Sequence, residues 1–433
     1  MFAPHLKPAA YGDVLTPTPA NLAIWVIAIV AAAGVLVRPF KLPEAVWAAG
    51  GAALLVGLGL LPMAAGWAAV GKGLDVYLFL AGMMLLSETA RREGLFDWVA
   101  AYAVNRANRS PRRLFVLVFA VGVIVTTFLS NDATAVVLTP AVFAATRKAR
   151  VEPLPYLFIC AFIANAASFV LPISNPANLV LYGDHTPALS RWLASFALPS
   201  VLAIMATFVA LRWSQGGALG EGCECEVDQP KLSPGGWTAL AGIGLTALAL
   251  MAVSALDWQL GLPTFILGAL TTAVVTARNR QAPWATLSKV SWSVLPLVAG
   301  LFVLVEALNR TGVVRALSGA LLSASAASPG ATAATAGALV AIASNLINNL
   351  PAGLIASTTI AQAHPPQRAV DALLIGVDLG PNLSITGSLA TVLWLTAIRR
   401  ENQHVGFWRF LKVGVLVMPP ALALAIGARL LRG

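Results

Sequence analysis

Ser130-Asn131-Asp132 and Thr134 interrupt the apolar run "TTFLSNDATAVVLTP" (Thr126 to Pro140), and "SNLINNLPAG" (Ser344 to Gly353) carries Asn348 and Asn349 in a similar setting. An amide both donates and accepts hydrogen bonds and a hydroxyl rotates to suit, so these groups fit a neutral polar solute. Asp132 has a different chemistry. In apolar surroundings an ionised carboxylate is costly unless paired, hydrated or protonated, and no Lys or Arg lies near it in sequence. Asp132 is therefore read as a carrier of a proton or cation, with a permanently hydrogen-bonded structural acid as the alternative. Asp378, beside Gly380-Pro381, is the second acid of this kind.

Two further segments combine helix breakers with polar groups: "LPISNPANL" (Leu171 to Leu179), with Ser174, Asn175 and Asn178, and "DLGPNLSITGS" (Asp378 to Ser388), with Ser384, Thr386 and Ser388. Proline and glycine free backbone groups there, and irregular backbone at membrane depth is tolerated only in protein or beside a cavity. Small polar residues also mediate helix packing, which is the alternative for any single Ser or Thr. Glu88 and Glu306 each have an arginine four residues on, Arg92 and Arg310, at salt-pair spacing, so a structural pair is expected and a coupling role is the alternative. Cys223 and Cys225 flank Glu224 in a polar segment; they offer thiolates to a soft metal, but the spacing is not that of a zinc site.

The elements that hold these groups follow from composition. The 433-residue chain is 58% hydrophobic and only 11% charged, with mean hydropathy +0.80, far from soluble averages. Apolar runs long enough to cross a bilayer as helices recur from Asn21 onward, near 22–37, 44–61, 74–90, 113–130, 131–147, 154–182 and 191–212, then 237–255, 260–277, 291–307, 332–347, 348–363, 369–398 and 408–431. The expectation is an all-α polytopic membrane protein. Net charge of +10 resides in short clusters at the ends of these runs, without a basic stripe interleaved with aromatics, so nucleic acid is not an expected partner. No phosphate-binding loop, nucleophile elbow or zinc-protease helix appears, and neither enzyme chemistry nor a cofactor is expected.

The chain repeats. "AGMMLLSETARREG" and "AGLFVLVEALNRTG" share A-G-x5-E-x3-R-x-G at a shift of 218 residues (Ala81 to Ala299), and "LSNDATA" matches "LINNLPA" at a shift of 217 (Leu129 to Leu346). This divides the chain into an N-terminal repeat, 1–212, a cytoplasmic linker, 213–236, and a C-terminal repeat, 237–433. Each is expected to hold about five transmembrane helices with a re-entrant hairpin (113–147 and 332–363) and a broken helix (154–182 and 369–398). Basic residues flank 113–147 on both sides, which places Arg113 and Arg147 in the cytoplasm and both termini in the periplasm. An odd number of crossings inverts the second repeat, the plan of secondary transporters whose sites lie where broken helices meet.

"FLSNDATAVVLTP", "SNLINNLPAGLIAS" and "GVDLGPNLSITGSLATVLW" resemble the signature segments of the arsenite and antimonite efflux permeases, the ArsB family of the ion transporter superfamily, and the resemblance runs over nearly the whole chain. It implies two inverted repeats arranged as scaffold and elevator-type transport domains. It also implies export of trivalent arsenic and antimony hydroxides from the cytoplasm through the inner membrane in exchange for protons, conferring arsenic resistance. A homodimer and an arsenite-stimulated ATPase subunit are further implied partners, besides membrane lipid. The S-N-[DT]-A-T-A pattern is shared with sodium-coupled dicarboxylate carriers, so a sodium-coupled anion carrier or sodium/proton antiporter of the same superfamily is the alternative. Carried over by position, the resemblance assigns solute binding to Ser130, Asn131, Thr134, Ser174, Asn175, Asn178, Asn348, Asn349, Ser384, Thr386 and Ser388. Proton coupling falls to Asp132 and Asp378, with Glu88 and Glu306 as further acids.

Overall fold

A computed structural model describes residues 18–183, 186–220, 228 and 230–432. Among these residues the chain forms helices and no strands, as backbone groups in lipid require. Up to Ser214 it forms α1 (Pro19–Val37), α2 (Glu44–Gly57), α3 (Met63–Lys72), α4 (Leu74–Arg92), α5 (Leu95–Arg106), α6 (Pro111–Phe128), the short α7 (Asn131–Ala133), α8 (Thr139–Lys148), α9 (Leu154–Ala166), α10 (Pro176–Tyr182) and α11 (Leu189–Ser214). From Pro234 it forms α12 (Pro234–Ala255), α13 (Gly261–Arg278), α14 (Trp284–Leu287), α15 (Val294–Arg310), α16 (Val313–Ala327), α17 (Pro329–Ile347), α18 (Asn349–Ala363), α19 (Gln367–Leu379), α20 (Leu389–Arg400) and α21 (Phe407–Leu431). Among the described residues, seven helices are long and apolar enough to cross a membrane, or up to nine if each bent pair counts as one span.

The second series packs as the first does. Helix α4 lies along α13 and α2 along α15; α1 pairs with α2 as α12 does with α13; α6 packs on α9 as α17 does on α19; and α11 lies against α21. The α4–α13 crossing depends on small residues: a Cβ on Gly82 would strike the backbone of Thr264, and one on Gly268 the backbone of Gly82. The α2–α15 crossing repeats this, with Gly300 against the backbone of Ala48. Without a hydrophobic force between helices in lipid, such close approach supplies the packing energy.

Four helices, α3, α5, α14 and α16, lie outside the expected spans. Gly94 and Gly312, the last residues of the repeated motif, both take left-handed backbone (φ 74° and 88°) that other residues adopt only at a cost. Each ends one helix and starts another, α5 or α16, and the α15–α16 bend is 74°. Helix α3 follows a separate break, because the run 44–61 ends as α2 at Gly57 and the chain becomes helical again only at Met63 behind Pro62. At the centre, every residue of α9 is buried, as is α19 from Ala369 to Leu379. Asn165, Asp371 and Asp378 lie on these two helices.

Candidate functional site

The first polar tip is a tight turn between α6 and α8. Ser130 Oγ caps α7 by accepting from the Ala133 amide (3.3 Å), and Asn131 Oδ1 accepts from the Asp132 amide (2.9 Å). A π-helical turn, Thr134–Leu138, follows; such turns recur at functional positions in helices. The Thr126 and Thr134 hydroxyls are 2.8 Å apart. Ser130, Asn131 and Thr134 are buried, whereas Asp132 is half-buried and makes no ion pair among the described residues.

This tip is fastened to the break in the first interrupted helix. Between α9 and α10, Ser174 Oγ donates to the Thr127 carbonyl (3.0 Å), and the Asn178 amide donates to the carbonyls of Ser168, Leu171 and Pro172 (2.9, 3.3 and 3.2 Å). Asn175 caps α10 through Oδ1 and donates through Nδ2 to Asp378 Oδ1, at 2.7 Å. Three oxygens here, Asp378 Oδ2, Asn178 Oδ1 and Thr127 Oγ1, are buried without a hydrogen-bond partner among the described residues. An orphaned buried carboxylate oxygen is costly, and it suits a proton or another cationic ligand.

The second tip is fastened to the second break in the same manner. Asn348 Oδ1 accepts from the Leu350 backbone N–H (3.3 Å) and its Nδ2 donates to the Thr386 carbonyl (3.4 Å), while the Asn349 backbone N–H donates to the Gly387 carbonyl (2.9 Å). Ser384 Oγ donates to Asn345 Oδ1 (2.8 Å), and Thr386 Oγ1 donates to the Asn345 carbonyl (3.1 Å). Ser388 caps α20 and donates to Asn165 Oδ1 (3.1 Å). The Asn165 amide donates in turn to Asn382 Oδ1 (3.0 Å) and Thr391 Oγ1 (3.3 Å).

Asn165 is a central residue that motif reading does not find. It stands 213 residues before Asp378, and Asn175 stands 213 before Ser388. The Asn165–Ser388 and Asn175–Asp378 hydrogen bonds therefore join positions related by one shift of 213 residues, each linking one series of helices to the other. An alignment of the two breaks at that shift would have revealed Asn165; a lone amide in "LPYLFICAFIANA" does not.

Other candidate residues lie elsewhere. Glu88 accepts two hydrogen bonds from Arg91 (2.7 and 2.6 Å), not from Arg92, which donates to Thr286 (2.6 Å). Both arginines fall at helix-neighbour spacing, and tertiary contact with α14 draws Arg92 away. Glu306 does meet Arg310, at 3.2 Å, and also Lys72, at 3.2 Å. It faces a cavity of about 970 Å³ whose lining also includes Lys72, Tyr182, Arg191, His364 and Gln367, but none of the tip residues. Cys223 and Cys225 lie outside the described residues; among those described, no cluster of His, Cys, Asp and Glu could hold a metal.

Comparison with known proteins gives a consistent picture. Residues 22–380 match the family model described as "Citrate transporter". The arsenical pump membrane protein of Escherichia coli (strain K12) is 28% identical over 81% of this chain and 84% of its own. An uncharacterised transporter of Mycobacterium tuberculosis (strain CDC 1551 / Oshkosh) is 27% identical over the same shares. Among solved structures, the Alcanivorax borkumensis YdaH transporter superposes over 96% of this chain and 98% of its own, with a TM-score of 0.55 at 19% identity, which is a likeness of fold. The chain belongs to the citrate transporter family and is a multi-pass membrane transporter.

Proposed function

We propose that this transporter exports trivalent arsenic and antimony hydroxides from the cytoplasm in exchange for protons. The observation that carries the reading is the composition of the centre. Asp132 and Asp378 stand among neutral amides and hydroxyls, and no Lys or Arg pairs with either among the described residues. Arsenous acid near neutral pH is an uncharged trihydroxide, which needs donors and acceptors and no fixed cation. The similarity to arsenical pump membrane proteins supports the same solute.

In this scheme the two repeats are inverted in the inner membrane, with both termini periplasmic, and the tips and broken helices move together against α2, α4, α13 and α15. Solute loads from the cytoplasm beside a deprotonated carboxylate. The unit then moves outward, releases solute, takes up a proton and returns. Tight exchange requires that solute and proton compete and that the empty, deprotonated unit crosses poorly.

The family description favours a second reading, a carrier of citrate or a similar anion held by Asn amides and helix N-termini. Expression in an arsenite-sensitive bacterium separates the two. Export predicts lower cell-associated arsenic and growth on arsenite. Unchanged arsenic content together with gained citrate uptake would replace the first reading with the second.

A further inference from the structure

Helix α10 is short, yet it carries two groups of the site at its N-terminal end, Asn175 and Asn178. Its other end is also held. Tyr182 Oη donates to Asp371 Oδ1 at 2.9 Å, beside Gln367 Nε2 at 2.8 Å, and Arg429 Nε of α21 donates to Asp371 Oδ2 at 2.6 Å. Asp371 is 0% exposed and Arg429 7%. Both Asp371 carboxylate oxygens thus have partners and an arginine is in contact, whereas Asp378 keeps an orphaned oxygen.

The two contacts of α10 are in register. Asn175 and Tyr182 are about two helical turns apart, as are Asp378 and Asp371 on α19, and the order is reversed. Helix α10 thus lies antiparallel to α19 with a carboxylate rung at each end. The counterpart pair, α9 and α20, has the Asn165–Ser388 rung but closes its other end without acids, by the Trp394 indole on the Leu157 carbonyl (2.8 Å) and a Phe158–Trp394 stack (5.9 Å). The acidic outer rung is peculiar to one side of the molecule, and Tyr182 and Gln367 border the large cavity there.

We propose that Tyr182 and Asp371, braced by Arg429, are positioning residues that keep α10 in register on α19 and so hold Asn175 on Asp378. A buried ion pair contributes little net stability but can enforce one arrangement over its neighbours. The proposal rests on Asp378 acting, beside Asp132, as a coupling carboxylate of the exchange cycle.

The test is Tyr182→Phe, which removes the hydroxyl while keeping the ring contact with Trp192 and leaves Asp371 bound to Arg429 and Gln367. Hydrogen exchange of the α10 amides in purified protein is expected to rise through the whole helix, including the turn that follows Asn175. In vesicles the KM for arsenite is expected to rise about threefold to tenfold with kcat unchanged, as for loss of one positioning hydrogen bond. Protection unchanged at the Asn175 end, or an unchanged KM despite loosened amides, would overturn the proposal. The exchange measurement needs no solute. Wild-type protein that fails to move arsenite would therefore refute the substrate, while the amide pattern would still decide the clamp.

Discussion

Asn175 donates to Asp378 at 2.7 Å, and at the positions related to these by a shift of 213 residues Ser388 donates to Asn165 at 3.1 Å. One geometry is built twice across the two series of helices, but only one copy contains an acid. A single ionisable rung suits a coupling site used once per cycle.

Asp378→Asn keeps an oxygen for the Asn175 amide and removes the ionisable group. The variant is expected to fold, with proton-driven flux reduced by about tenfold or more, as for loss of an essential proton carrier. Flux measured in vesicles at equal protein content checks this, and a loss below twofold would return Asp378 to a structural role.

Asp132→Asn addresses the half-buried acid of the first tip. The expected outcome is retained exchange of arsenite across the membrane at equilibrium together with a lost response to an imposed proton gradient. Isotope or mass-based counterflow at fixed pH, beside gradient-driven flux, separates these two properties.

Asn165→Ala strips partners from Ser388, Asn382 and Thr391 in a fully buried setting. Leaving such groups unsatisfied costs about 1–3 kcal/mol. A lower midpoint of thermal unfolding is expected in purified protein, and an unchanged midpoint would show that the node is not needed for stability.

Glu306→Gln removes the negative charge that pairs with Lys72 and Arg310 in partly exposed, weak ion pairs. Flux is expected to change by about twofold or less. Gly82→Leu, in contrast, drives a side chain into the Thr264 backbone and separates α4 from α13. Overpacking of that kind costs about 1–3 kcal/mol or more, and the variant should show reduced folded yield in membranes.

The tips and breaks are legible in the sequence because Ser130, Asn131, Asp132, Asn348 and Asn349 contrast with long apolar runs, and because Pro and Gly mark the interruptions. Helices α5 and α16 are not, since the glycines that start them, Gly94 and Gly312, register only as the last letters of a repeat until their backbone angles are known. The Glu88 partner is Arg91 and not the expected Arg92, since neighbours three and four residues on share a helix face and contact with Thr286 takes Arg92. The Asp371–Arg429 pair joins residues far apart in sequence, and no local spacing announces it.

The most direct test of the account is arsenite accumulation in inverted membrane vesicles carrying the protein, under an imposed proton gradient, a sodium gradient or neither. The account predicts uphill accumulation under the proton gradient alone, lost in Asp132→Asn. Accumulation driven by sodium, or no arsenite accumulation under either gradient, would contradict it.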